Sequence, residues 1–350
     1  MKKNALFLLL ATLIISIQSC KKDNNDYTVP TTYDFSNVDY SGQTNRIKMI
    51  DALVTEVRKG SVPGTVLNAQ LLKNMYSNTG NPFTNDTLNT SGKQLKDKTF
   101  ATEQAVLEAW LDGAAAASLT NNNTATAGNT GVLANGANNI LVDENGKEYK
   151  EAVEKGLQGA LIYYQITAVY LSEDEIGPQV ALADRQHHWD EAFGYYGVPV
   201  DYPTNTTGLK HVGKYCNDRN ALLNNGTTTM NAFIKGRAAI DNGDDATVTG
   251  QVAIIRENIE RGWAGTALHY INGALTNFSN TGSRHHQLSE GYFIIKSLRY
   301  NPAKKITDQQ IQTLLDYFGD NFYNISETDL QNAKNLLSTI YGFDSVKDQL

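Results

Sequence analysis

Ile47, Ile50, Leu53, Val54 and Val57 recur three and four residues apart until Gly60 interrupts them, and the same period returns along most of the chain. Such spacing puts apolar side chains on one face of an α-helix, so the chain must bury a series of helical faces against one another. It predicts helices over 41–60, 66–76, 102–119, 149–171, 178–195, 227–241, 246–278 and 283–299. In 149–171 the core side would be Val153, Leu157, Leu161, Tyr164 and Val169, and Pro178 suits the first turn of its helix. Two more helices open on capping boxes, Thr307-Asp-Gln-Gln310 and Ser326-Glu-Thr-Asp329, in which the first side chain and the fourth satisfy each other's backbone amides. With 41% apolar residues and 7 prolines, few helix breakers interrupt this pattern. The expected fold class is all-α, a helical bundle with long irregular loops.

The loops are as readable as the helices. Asn78 to Lys98 and residues 120 to 146 are rich in Asn, Thr and Gly, the residues of turns. Within the second, Ile140 to Tyr149 predicts a small hairpin on the Asn145-Gly146 turn. Gly197-Val-Pro-Val-Asp-Tyr-Pro203 has to be loop, because two prolines exclude a helix there.

The first residues bear on compartment. Lys2 and Lys3 precede an apolar run, Ala5 to Ile17, too short to cross a bilayer comfortably but suited to a secretory signal. The run ends in Ile-Gln-Ser-Cys20, which resembles a bacterial lipobox and implies a signal peptide over 1–19 and lipidation of Cys20. Residues 20–39 then read as a flexible tether and 40–350 as the helical domain. With Cys20 lipidated, Cys216 has no partner for a disulfide, and the fold must rest on its core. The expected location is the cell envelope, as an outer-membrane lipoprotein facing the surface or the periplasm. A net charge of −7 without a basic run excludes a nucleic-acid partner.

Four of the 6 histidines fall in two similar stretches, His187-His-Trp-Asp-Glu191 and His285-His-Gln-Leu-Ser-Glu290. On a helix, His188 and Glu191 share a face, which Asp184 and Tyr195 extend, while Leu182, Trp189, Phe193 and Tyr196 form the core face beside it. His286, Ser289, Glu290, Phe293 and Ser297 make the second stripe, with Ile294, Ile295 and Leu298 packing next to it. His187 and His285 read as surface cover, and His211, in a Gly-Leu-Lys-His-Val-Gly loop, as structural or exposed. A third helix carries His269 among Gly262, Gly265 and Gly273, a small-residue face that calls for close approach of a neighbouring helix or a ligand. Histidine and glutamate projecting inward from facing helices are how bundles build metal sites. The candidate ligands are therefore His188, Glu191, His269, His286 and Glu290. The competing reading is that a histidine one turn from a carboxylate only orders a helix interface. Neither glutamate is followed by the histidine that a His-Glu-x-x-His zinc hydrolase requires, and no nucleophile elbow or phosphate loop is present.

His188-Trp-Asp-Glu-Ala-Phe-Gly-Tyr195, His286-Gln-Leu-Ser-Glu-Gly-Tyr292, Asp39-Tyr-Ser-Gly-Gln-Thr44, Lys155-Gly-Leu-Gln-Gly-Ala160 and Gly265-Thr-Ala-Leu-His-Tyr270 resemble the signatures of DUF4856, a domain family of bacterial surface lipoproteins. That family is in turn similar to the imelysin-like proteins, which carry a His-x-x-Glu motif and include proteins assigned to metallopeptidases and to iron uptake. The resemblance implies an all-helical fold of two bundle-like halves, with His188 and Glu191 as the His-x-x-Glu pair. It departs at Gln186, where imelysin-like proteins place glycine. The functional expectation is a lipid-anchored binding protein for a metal ion, iron or zinc, with the membrane and an outer-membrane transporter as partners. The alternatives are a metal-dependent hydrolase using Glu191 or Glu290 as general base, and a nutrient-capture or scaffold lipoprotein whose histidines only staple helices.

Overall fold

The computed structural model describes residues 27–350, so the expected signal peptide, Cys20 and the start of the tether lie outside the described residues. From Ser41 onward the helical period becomes helix along most of the chain. Helices α1 (Ser41–Arg58), α2 (Ala69–Ser77), α3 (Asp86–Asn89) and α4 (Ala101–Ser118) lead to an antiparallel hairpin of β1 (Gly131–Asn135) and β2 (Asn138–Val142). Next come α5 (Tyr149–Leu157), which continues as π-helix over Gln158–Tyr163 and Gln165–Tyr170, then α6 (Glu173–Ile176), α7 (Leu182–Tyr196) and α8 (His211–Leu223). The chain ends with α9 (Asn225–Asp241), α10 (Asp245–Thr276), α11 (Thr281–Ser297), α12 (Asp308–Phe318) and α13 (Glu327–Tyr341). Both expected capping boxes are present, at Thr307 and at Ser326. One continuous apolar core runs through these helices from Tyr33 to Leu350, and a satellite of Ala125, Leu133, Ile140 and Val142 lies under the hairpin. Among the described residues no helix is long and apolar enough to cross a membrane.

The 32-residue α10 is the central mast, packed by α8, α9, α11 and α13. Its glycines explain how three of them, α8, α9 and α11, come so near. A Cβ at Gly262 would run into Asn225 and Cys216, one at Gly265 into Leu223, and one at Gly273 into Gln287. Each glycine costs roughly 1 kcal/mol of helix propensity relative to alanine, which closer packing offsets. The small-residue face therefore serves neighbouring helices. Gly236 of α9 plays the same part for α7, where it makes room for the Trp189 ring. Trp189 is fully buried, as its helix face predicts, and donates its indole N–H to the Phe233 carbonyl at 3.0 Å.

Several expectations need correction. The hairpin exists, but its strands turn at Gly136-Ala137, ahead of the Asn145-Gly146 turn that was expected to make it. Asn145 and Gly146 instead form a tight loop over the Asp143 carboxylate, which accepts from the Asn145 and Lys147 amides at 2.9 and 2.7 Å. Pro178 lies in the loop before α7, and Leu182, placed on the core face, begins that helix with half its surface exposed. The π-helical stretches shift the phase of the long helix, because their hydrogen bonds span five residues rather than four. After Leu161 the buried apolar positions are Ile162, Tyr163, Ile166 and Tyr170, with Gln165 and Thr167 buried beside them, while Tyr164 and Val169 are only half-buried.

His211 does not sit in a loop. It opens α8 and is buried, with its Nδ1 2.8 Å from the Gln158 side chain and its Nε2 3.3 Å from Asp51. The tether, too, is shorter than its polar composition suggests. Tyr33 is buried and stacks on Phe193 with ring centres 3.7 Å apart, and its hydroxyl donates to Asp190 at 2.6 Å. Asp190 in turn pairs with the fully buried Arg237 at 3.0 Å. Tyr27 donates to Asp244 at the start of α10 at 3.1 Å, so from there onward the segment is anchored to α7, α9 and the N-terminus of α10.

Candidate functional site

Glu148 and Glu151 stand at the first turn of α5, where that helix meets α11 and the base of the hairpin. The Glu148 amide donates to the Ser289 hydroxyl at 2.8 Å, and that hydroxyl donates to the His285 carbonyl, so α11 supplies the N-terminal cap that α5 lacks in its own sequence. This link brings the imidazole of His286 to the two carboxylates. Its Nδ1 lies 2.7 Å from Glu148 Oε2 and 3.6 Å from Glu151 Oε1, and its Nε2 lies 3.3 Å from Glu290 Oε2, one turn along α11. Lys155, one turn beyond Glu151, reaches Glu151 at 3.2 Å, Glu290 at 3.0 Å and the Tyr215 hydroxyl at 2.6 Å. Lys150 pairs with Glu151 and, at 2.6 Å, with Glu154.

Few of these groups see water, and that decides their ionisation. Burial alone would depress the His286 pKa, but the hydrogen bond to Glu148 and the charges of Glu148, Glu290 and Glu151 overcome it and raise it to about 9. Burial pushes the Glu148 and Glu290 carboxyls up, the neighbouring Glu151 charge adding to this in both. Glu151 goes the other way. Burial opposes its charge, yet Lys155 and Lys150 prevail and hold it below the usual carboxylate range. The Lys155 ammonium, although buried, is held well above its ordinary value by Glu151 and its other partners.

Ligand atoms of Glu148, Glu151 and His286 lie within 4.8 Å of one another, the one such group of histidine, cysteine and acidic residues among the described residues. Donors about 2.1 Å from a shared ion stand up to about 4.2 Å apart, so small side-chain rotations would close the three around a cation. Glu290 then has a different part. Its position on the far ring nitrogen is that of the carboxylate which accepts the second N–H of a metal-bound histidine and fixes its tautomer.

The other expected residues are elsewhere. His188 Nδ1 lies 2.8 Å from the Glu175 carbonyl and 2.9 Å from its carboxylate. Glu191 accepts from Gln43 at 2.6 Å and from the Tyr170 hydroxyl at 3.2 Å. Tyr170 ends the long helix that Glu151 begins, which separates the two histidine motifs by roughly 25 Å of helical rise. The structure therefore does not bring the two stripes together. Of the residues extending the first stripe, Asp184 is exposed and Tyr195 fully buried. His269 is exposed on α10 and joins neither group. His285, expected as surface cover, is fully buried against Tyr323 and Gly146, and burial pushes its imidazole down to about 4.

Glu148, Glu151, Lys150 and Lys155 were missed, and the signal for Glu151 and Lys155 lay in the helix itself. Around Glu151 and Lys155 stand Ala152, Val153, Leu157, Ala160, Leu161 and Ile162, all buried. A helix apolar on nearly every side leaves its charged residues nowhere to go but inward.

No curated protein and no solved structure matches the chain, and no comparison shows the kinship with imelysin-like proteins. A family model, that of a domain of unknown function termed DUF4856, matches residues 30–344. The chain belongs to the DUF4856 family.

Proposed function

We propose that the protein is a lipid-anchored binding protein of the cell envelope whose ligand is a divalent transition-metal cation, held by Glu148, Glu151 and His286. The observation that carries this reading is the charge balance of the cluster. Four buried or half-buried carboxylates, Glu148, Glu151, Glu154 and Glu290, gather around two ammonium groups, Lys150 and Lys155. Two negative charges are left over, and a protonated His286 cancels one. A dication bound to neutral His286 cancels both. Uncompensated charge in a dry setting is costly, so the arrangement favours the dication. One imidazole with carboxylates suits iron or zinc better than calcium. In this reading Cys20 carries the lipid, and an outer-membrane transporter is the partner that exchanges the cation.

The test is metal content and thermal stability of the purified, untagged protein. Iron(II) or zinc should raise Tm, and His286→Ala or Glu148→Gln should abolish that rise while His188→Ala leaves it intact. No bound metal and no shift would reduce the cluster to a staple between α5 and α11. Loss of the shift in His188→Ala alone would move the site to the other end of the long helix.

A further inference from the structure

The cluster opens into a surface cleft of about 540 Å³. Glu148, Lys150 and His286 line it at the cluster, Arg58 lines it from the end of α1, and Asn138 and Asn139 line it from the hairpin. A cation with a few waters needs far less room, at about 30 Å³ per water. The volume falls instead in the range that encloses a small organic molecule. Three protein donors also leave one to three positions free on a four- to six-coordinate ion.

The charges on the cleft differ in what they can still bind. Lys150 is committed to Glu151 and Glu154. Arg58 is exposed, and among the described residues its guanidinium has no carboxylate within ion-pair distance and no hydrogen-bond acceptor. The side-chain amides of Asn138 and Asn139 likewise have no protein partner there. A guanidinium with five donors, on the same cleft as amides that can donate or accept, is the equipment that reads a carboxylate. We infer that the cleft takes its cation as a complex with a small polycarboxylate chelator, the protein filling the positions the chelator leaves open and Arg58 pairing with one of its carboxylates. This inference rests on the cation reading above.

Equilibrium dialysis of the untagged full-length chain tests it, with labelled zinc and labelled nitrilotriacetate, a tricarboxylate that, with one carboxylate turned to Arg58, donates three atoms and leaves three of six positions for Glu148, Glu151 and His286. Zinc alone is the first arm and the one-to-one complex the second. Both labels should be retained together in equal amounts. Arg58→Glu, a surface substitution, should lower retention of the complex by about tenfold or more while zinc alone changes by less than about twofold. If the protein keeps zinc and excludes nitrilotriacetate, the chelate inference falls and the cation reading stands. Equal retention by wild type and Arg58→Glu also overturns it. If zinc is retained in neither arm, the cation reading itself has failed.

Discussion

His188 and His286 begin from nearly the same sequence, a histidine pair with a glutamate within the next turn or so, and end in opposite surroundings. At His286 the neighbours are charged: two carboxylates from the start of α5 on one ring nitrogen, Glu290 of its own helix α11 on the other, and the buried Lys155 of α5 behind them. At Glu191 the closest partners are the neutral side chains of Gln43 and Tyr170, and His188 leans on the Glu175 carbonyl and carboxylate. The motif is the same; the helix it faces decides the chemistry. The α5 end concentrates unlike charges where water is scarce, whereas the α7 end is a hydrogen-bonded seam that solvent partly reaches.

The sharpest way to break that contrast is Lys155→Met. Methionine keeps much of the stem's length, but Glu151, Glu154 and Glu290 lose the ammonium they share. Removing one partner from a buried ion network typically costs about 3–5 kcal/mol, because the charges left behind cannot be solvated. Urea unfolding should show that loss. A change below about 1 kcal/mol would mean that the carboxylates reach water easily, and the two ends would no longer differ in kind.

A smaller effect comes from the His286 proton. In the metal-free protein this imidazole is protonated up to about pH 9, against about 6.5 for a free histidine. The folded state binds the proton more tightly than the unfolded one. The stability it contributes is therefore complete below about pH 6.5 and is lost as pH rises through about 9. Tm measured with a chelator present should fall across that window in the wild type, and the fall should be shallower in His286→Ala. A metal ion has to displace the same proton, so its apparent affinity should strengthen with pH over the same range. A wild type and a His286→Ala variant with superimposable Tm-against-pH curves would show that the imidazole is not held by its carboxylates.

These contrasts also mark what could be read from sequence and what could not. The helices, both capping boxes and the buried face of α7 around Trp189 obey local rules, since spacing and cap chemistry act over one or two turns. The π-helical phase shift was invisible, because Gln158–Tyr170 continues the helical period and no residue in it marks the change from four- to five-residue hydrogen bonds. The site was half visible. His286, Glu290 and Ser289 stood out as a stripe, but their partners lie well over a hundred residues earlier, at the start of α5, where the apolar surround marks Glu151 and Lys155 as inward-facing without saying what they face. Only the pairing of α5 with α11 reveals them. His188 illustrates the converse, a pattern that promises a site when read alone and whose partners turn out to be a seam.

Glu191→Gln should have the smallest effect. The glutamine carbonyl can still accept from Gln43 and Tyr170, which at 2.6 and 3.2 Å are the bonds that matter most in the seam. The other oxygen, replaced by an amide, faces the exposed His187 at 3.7 Å, too long and too well solvated to contribute much. Exchanging a carboxylate acceptor for an amide carbonyl weakens these bonds without leaving either donor unpaired, a loss on the order of 1 kcal/mol, so the urea midpoint should move little and the metal-induced Tm shift should stay intact. A loss near that of Lys155→Met would require the Glu191 charge to be balanced by a cation at the α7 end. The histidine motif there would then be a second charged site, and the difference between the two ends would be one of occupancy rather than of construction.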